Sequence, residues 1–287
     1  MKIALLGSTG MLGSKMAEVL KKAGHELLTP SRAELDLSRP EQIQHFFKTS
    51  SFETLINCAG FTKVDACEEE AAAMTAFQLN GTAVGQLAHG CKAAKRTLVH
   101  FSSDYVFDGE KSGPYLETDA PGPVNVYGET KWVGEKLIQE EGPSFYLIRT
   151  SWLFGPNGDN FVKAIAGLLR TKPRIEVVTD QAGGPTYTGD LAGFTLELLA
   201  KKADPGFYHF ANRGYTSWNG FAQEIKKSIG SSCEVAPVLS RDVVRPARRP
   251  ANSRFDLTKA SRAVGHEPRP WQDALKDYLT KELDGPF

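Results

Sequence analysis

Residues 2–24, "KIALLGSTGMLGSKMAEVLKKAG", join a short apolar run to three glycines and then to an amphipathic repeat. The run KIALL has the length and continuity of a buried strand. Leu12, Met16, Val19 and Leu20 recur at helical spacing, and Gly24 closes the repeat. Between the two, Gly7, Gly10 and Gly13 form G-x-x-G-x-x-G. Glycine at such a junction permits a tight turn and lets the backbone approach a pyrophosphate at the N-terminus of the following helix. The stretch predicts strand, turn and helix in the arrangement that binds a dinucleotide.

The same alternation continues outward. "HELLTPSR" (25–32) offers a second strand, and "SRPEQIQHFF" (38–47) a helix with Ser38 and Glu41 placed as a capping box. "TLINCAG" (54–60) reads as a third strand, residues 68 to about 94 as a long helical region, and "RTLVHFSS" (96–103) as a fourth strand. A helix around 124–136, ended by Gly142 and Pro143, precedes a fifth strand, "FYLIRTS" (145–151). Near-continuously apolar strands alternating with helices imply an α/β, Rossmann-type doubly wound parallel sheet covered on both faces, spanning residues 1–150. After Ser151 the texture changes to glycine- and proline-containing loops such as "DQAGGPTYTGDLAG" (180–193) between shorter elements. Residues 151–287, with further helices and short strands such as "GFYHFAN" (206–212), are expected to form mainly a smaller α/β domain that shapes specificity, with some segments returning to the first. The last helix, "WQDALKDYLTKEL" (271–283), is amphipathic and expected on the surface.

Composition narrows the function. The 34 basic and 34 acidic residues among 287 balance, so no global field exists to hold nucleic acid or an anionic membrane surface. The N-terminal apolar run is too short to span a bilayer and has no cleavage region, which points to a cytoplasmic protein. Cys58, Cys67, Cys91 and Cys233 form no C-x-x-C pair, the six histidines are scattered, and no metal site is expected.

Two further stretches bear on chemistry. The second strand ends in Thr29-Pro30-Ser31-Arg32, where an NAD site usually carries a carboxylate for the ribose hydroxyls. Arg32 instead suits a 2′-phosphate, so NADPH is favoured and NADH remains possible. In "VNVYGETKWVGEK" (124–136), Tyr127 and Lys131 stand four apart on one helix face. A phenol of pKa about 10 needs nearby positive charge to exchange protons near neutrality. A lysine roughly 6 Å away, at an effective dielectric of about 20, supplies about 3 kcal/mol, or about two pKa units. "FSSDYVFDG" (101–109) brings Ser102, Ser103 and Asp104 to the carboxyl end of the fourth strand, where open α/β sheets bind ligands.

Together, "GSTGMLG", "NCAGFTKVDACE", "SSDYVFDG", "NVYGETK", "RTSWLFG", "DQAGGPT" and "NSRFD", in this order and nearly end to end, resemble the dTDP-4-dehydrorhamnose reductase family of extended short-chain dehydrogenases. The resemblance implies NAD(P)H-dependent reduction of the C4 ketone of dTDP-4-dehydro-L-rhamnose to dTDP-L-rhamnose, a precursor of surface polysaccharide. It implies that Tyr127 donates the proton, that Lys131 holds the nicotinamide ribose and tunes Tyr127, and that Ser103 hydrogen-bonds the ketone. It places Gly10, Met11 and Leu12 at the pyrophosphate, Asp36 and Leu37 at the adenine, and Gly60, Phe61 and Thr62 along the middle of the cofactor. Ser103, Asp104 and Trp152 fall where the family meets substrate, and Arg249 and Arg254 where a sugar-nucleotide diphosphate would pair.

Departures from the pattern matter. Ser103 replaces the usual threonine and keeps the hydroxyl. Gly60 and Phe61 replace alanine and tyrosine. Lys15 stands where metal-bridged dimers of the family carry glutamate, and an ammonium cannot ligate a hard cation, so a monomer or a homodimer without that bridge is expected. Alternatives of the same fold are another sugar-nucleotide 4-ketoreductase or epimerase, or a regulatory binding module without catalysis. Related dehydratases carry Thr-Asp-Glu where this chain has Ser103-Asp104-Tyr105, which argues against dehydration.

Overall fold

The computed structural model describes residues 1–283. The first half runs β1 (Lys2–Leu6), α1 (Met11–Lys22), β2 (Glu26–Leu28), α2 (Pro40–Thr49), β3 (Thr54–Asn57), α3 (Glu70–Phe77), α4 (Ala83–Ala93), β4 (Thr97–Ser103), α5 (Val126–Glu141) and β5 (Ser144–Thr150). The second half runs β6 (Leu153–Phe154), α6 (Phe161–Thr171), β7 (Arg174–Val178), β8 (Ala182–Gly183), β9 (Thr186–Tyr187), α7 (Thr188–Ala200) and β10 (Gly206–Phe210). It ends with β11 (Thr216–Ser217), α8 (Trp218–Ile229), β12 (Glu234–Val238), β13 (Asn252–Ser253), α9 (Thr258–Val264) and α10 (Trp271–Lys281).

A six-stranded sheet, ordered β10-β5-β4-β3-β1-β2 and parallel throughout, organises the molecule. The chain leaves β1 toward β2 and then crosses back to β3, so a crevice opens at the carboxyl ends where the winding reverses. Alternate residues of each strand serve opposite faces. Ile3, Leu5, Ile56, Val99, Phe101 and Ile148 pack against α1 and α7, whereas Ala4, Leu6, Leu55, Leu98 and Leu147 pack against α2, α4 and α5. The sixth strand, β10, comes from the second half, so the central sheet draws on both halves of the chain. A second core gathers Phe154, Val162, Ile165, Phe221, Trp271 and Tyr278, over which the paired strands β7 and β12 lie. The buried face of α10 belongs to this core, which is what its amphipathic spacing dictates.

The local expectations are mostly met, with two differences. The capping box at Ser38 and Glu41 does not form. Pro40, which lacks an N–H and is preset for the first helical position, makes Arg39 the N-cap and leaves Ser38 outside the helix. There the Ser38 hydroxyl donates to Asp36 Oδ1 at 2.7 Å. The helical region from 68 to 94 is also interrupted: a 3₁₀ turn at Asp65–Glu68 precedes α3, and a π turn at Gln78–Thr82 joins α3 to α4. Gly142 ends α5 in the left-handed conformation (φ 62°), its N–H donating to Ile138 O at 3.0 Å.

Candidate active site

The glycine turn after β1 is closed by backbone. Gly7 has φ +70°, and a Cβ there would meet Ala59 N at 2.7 Å; a Cβ at Gly13 would land against the Gly7 carbonyl. Gly10 is the N-cap of α1 and donates its N–H to Gly7 O at 3.0 Å. The first turn of α1 therefore presents peptide N–H groups above the crevice, with Met11 at its start and Leu12 anchored in the core. Beside β2, Arg32 is exposed, its Nε 3.9 Å from Asp36 Oδ2. The Asp36 carboxyl is held below its usual range, chiefly by the hydroxyl and N–H of Ser38. Leu37, next to it, is buried.

Gly60, Phe61 and Thr62 follow β3 and are held by a residue the sequence reading did not single out. Asn80, inside the π turn, accepts from Phe61 N at 2.8 Å and donates to Phe61 O at 2.9 Å and to Thr130 Oγ1 at 3.0 Å. It clamps this loop to α5, a role consistent with the tendency of π turns to occur at functional sites. An amide in the middle of a helical stretch was the available signal. A Cβ at Gly60 would approach Asn80 Oδ1 to 2.9 Å and Lys131 Nζ to 3.2 Å, so glycine keeps the space above Lys131 open.

Ser103, Tyr127 and Lys131 converge at the carboxyl end of β4, all buried. Asn125 caps α5 by accepting from Gly128 N at 2.8 Å, which fixes the first turn that carries Tyr127. The Ser103 hydroxyl is hydrogen-bonded to the Tyr127 phenol and donates to Asp104 Oδ1 at 2.9 Å. Tyr105 packs edge-on against Tyr127, with ring centroids 5.9 Å apart. Burial, and secondarily the Asp104 charge, push the Tyr127 phenol up from its ordinary value, with the Ser103 hydroxyl opposing. The expectation that Lys131 draws this phenol down by about two units is therefore corrected: desolvation of the phenolate prevails, and Tyr127 stands as a protonated donor. Lys131 Nζ donates to Phe101 O at 3.3 Å. Its own pKa is pushed down to about 8 by burial, with Glu135 opposing. Burial raises Asp104 to about 6 against hydrogen bonds from Ser253 and Ser103.

The remaining candidates lie around this centre. Trp152 has φ +49° and stacks on Trp218 at 3.6 Å between centroids, with the backbone of Gly183 behind it. Trp218, unremarked in the sequence, is fixed by Nε1 donating to Gln181 Oε1 at 3.1 Å. Arg249 is committed inside the protein: both terminal nitrogens pair with Asp65, one of them at 2.7 Å from Oδ2, and it also hydrogen-bonds Tyr105. Arg254 donates from Nε to Asn252 Oδ1 at 2.8 Å and from Nη2 to Ser112 O at 2.6 Å. Lys15 is buried on α1 and ion-paired with Glu18 (2.8 Å) and with Glu282 beyond α10. Among the described residues no cluster of three His, Cys, Asp or Glu is placed to hold a metal, and no helix is long and apolar enough to cross a membrane.

The crevice fits a dinucleotide. The closed glycine turn and the helix N-terminus suit a pyrophosphate, and Gly60 leaves room beside Lys131 Nζ, on the helix face that carries Tyr127. The comparisons agree. The model of the RmlD substrate binding domain matches residues 1–283. A dTDP-4-dehydrorhamnose reductase of Aggregatibacter actinomycetemcomitans is 36% identical over 96% of this chain and 97% of its own. The solved dTDP-4-dehydrorhamnose reductase of Clostridium acetobutylicum superposes with a TM-score of 0.92 at 35% identity, covering 97% of this chain and 98% of that one. The Bacillus anthracis enzyme, solved in complex with NADP, gives 0.91 at 32% over the same shares. With this fold, this crevice and relatives alike from end to end, the chain belongs to the RmlD family of dTDP-4-dehydrorhamnose reductases.

Proposed function

We propose that this protein reduces the C4 ketone of dTDP-4-dehydro-L-rhamnose to the alcohol of dTDP-L-rhamnose, with NADPH as reductant. The observation that carries the reading is the buried convergence of Ser103, Tyr127 and Lys131 opposite the glycine turn. The pyrophosphate lies over Gly10 and is received by the peptide N–H groups of Met11 and Leu12, the Gly10 N–H being turned to Gly7 O, with Gly7 and Gly13 allowing its approach. Arg32 is placed for a 2′-phosphate, Asp36 and Leu37 border the adenine, and Gly60, Phe61 and Thr62 line the middle. The bound reduced nicotinamide supplies hydride to the ketone carbon.

The protein's own groups handle the oxygen. Ser103 and Tyr127 share a hydrogen bond, so a ketone oxygen entering between them meets the Tyr127 hydroxyl, and a second donor once the Ser103 hydroxyl turns from Asp104 Oδ1. Negative charge developing on that oxygen draws the phenolic proton across; the phenolate then recovers a proton from solvent. A phenol whose pKa is raised is a weak acid in isolation, and the adjacent Lys131 ammonium stabilises its anion in the transition state. Lys131 also holds the nicotinamide ribose. Trp152, backed by Trp218, forms a wall for the sugar, and Asp104 borders it. Arg249 and Arg254 belong to the arm that meets the diphosphate; Arg249 must exchange Asp65 for phosphate or act through its remaining N–H groups. Residues 1–150 form the cofactor domain and 151–287 mainly the sugar-nucleotide domain, working in the cytoplasm as monomer or homodimer.

The test is loss of NADPH absorbance with dTDP-4-dehydro-L-rhamnose. Turnover by the natural chain, falling about 10²–10⁴-fold in Tyr127→Phe with NADPH binding kept, supports the reading. NADPH binding without turnover of this or any other 4-keto sugar nucleotide would make the chain a binding module.

A further inference from the structure

Beneath the second half of α5 lies a buried ion pair that the reaction above does not use. Glu135, one helical turn beyond Lys131, is 1% exposed, and its carboxylate accepts from Arg149 Nε at 2.9 Å and Nη2 at 2.7 Å. Arg149, on β5, has its guanidinium carbon 4.9 Å from the ring centroids of both Phe107 and Phe207. Its Nη1 reaches Glu117 O and His209 Nε2, each at 3.4 Å. His209 Nδ1 faces the Tyr115 carbonyl at 3.0 Å, and a carbonyl only accepts. Nδ1 therefore carries the proton, leaving Nε2 to accept from the guanidinium. Every edge of Arg149 is fixed, and so is the carboxylate it grips.

Taking two charges out of water is costly, and a well-packed apolar pair would stabilise the fold at least as well. Stability alone gives no account of the pair. Its neighbour on the helix face is Lys131, which would lose its charge to burial in an apolar setting. The groups facing Lys131 come from each packed element. Cys58 follows β3, and its thiol is neutral because burial pushes its pKa up; His100 on β4 is neutral because burial pushes its pKa down. Tyr127 and Glu135 come from α5 itself. Asp104 and Tyr105, with Cys67 and Glu68 of the 3₁₀ turn, lie toward the Tyr127 end of the helix. With Cys58 neutral, Glu135 is the anion that opposes the effect of burial on Lys131.

We propose that Glu135, fixed by Arg149, is a positioning residue for catalysis: its buried negative charge keeps the Lys131 ammonium charged and in place beneath the nicotinamide ribose. The proposal rests on the assignment of Lys131 to that ribose made above. It predicts a graded response. Glu135→Gln removes the anion and leaves the Arg149 cation; Glu135→Gln with Arg149→Met removes both, and remains testable if the single variant does not fold.

NADPH affinity, read by cofactor fluorescence from pH 7 to 10, reports the charge on Lys131 without turnover; kcat and KM over the same range accompany it. The natural chain should lose affinity as Lys131 deprotonates, and Lys131→Met should show no such step. The midpoint should move acid by about one unit or more in Glu135→Gln and by less in the double variant. Folded variants whose midpoints stay at the natural value would overturn the proposal, leaving the pair purely structural. A pH step that survives in Lys131→Met would overturn the ribose assignment first, and this inference with it.

Discussion

The two faces of the central sheet are built from alternate residues of the same strands and turn out unlike. On the face toward α1 and α7, Ile3, Leu5, Ile56, Val99, Tyr146 and Ile148 form a continuous apolar layer. On the face toward α5 the apolar layer stops short: Asn57, His100, Ser102, Arg149 and His209 take over at the carboxyl ends of β3, β4, β5 and β10 and are all buried. One face stores stability; the other gives up part of its apolar area to surround the helix that carries Tyr127 and Lys131. The difference shows that chemistry in this fold is prepared one layer below the reacting groups.

The comparison can be broken most severely at Arg149. Arg149→Met leaves Glu135 buried without its partner and should cost about 3–5 kcal/mol in a denaturant titration, with the pH midpoint of NADPH binding moved to higher pH in the protein that still folds. On the opposite face, Ile148→Ala should cost about 2–5 kcal/mol through the cavity it leaves, while the pH dependence of turnover stays unchanged. A shifted pH profile there would mean that the two faces are not functionally separate.

Asp104 sharpens the comparison through pH. Its folded pKa of about 6 lies above the ordinary carboxyl value of 3.8, so the native state holds this proton more tightly than the unfolded chain does. The resulting stability is complete below about pH 4 and is lost as pH rises through about 6. Asp104→Asn cannot titrate, so its stability relative to the natural chain should improve by about 3 kcal/mol between pH 4 and 7.5, measured by urea unfolding across pH. The smallest effect is expected at the helix cap. Asn125→Ala should lower stability by about 1 kcal/mol and turnover several-fold, because it frees the turn that carries Tyr127.

What the sequence made legible was local. The strand, glycine turn and helix at the start, the i,i+4 placement of Tyr127 and Lys131, and Ser103 at a strand end all follow from periodicity and short spacing. The failures are also physical. Ser38 and Glu41 had the capping spacing, but Pro40 moved the helix start by one residue. The effect of Lys131 on Tyr127 was sized as a pair interaction, and the burial of the phenol, which depends on Tyr105 and on α5 packing close over the sheet, outweighed it. Asp65 with Arg249, Asn80 with Phe61, and Glu135 with Arg149 are partners that only the register of the folded sheet and the path of the loops bring together. The resemblance to a family supplied Trp152 but not Trp218, whose role depends on a stacking geometry that no spacing encodes.

The placement of β10 has a consequence for how the protein is made. Its partner β5 ends at Thr150, yet the strand that covers that edge spans Gly206–Phe210. A growing chain displays β5 as an open, apolar edge until some sixty further residues have been synthesised, and exposed strand edges recruit other chains. A fragment ending near residue 150 should therefore aggregate when expressed alone, and synthesis that pauses between the two strands should be the stage most dependent on chaperones.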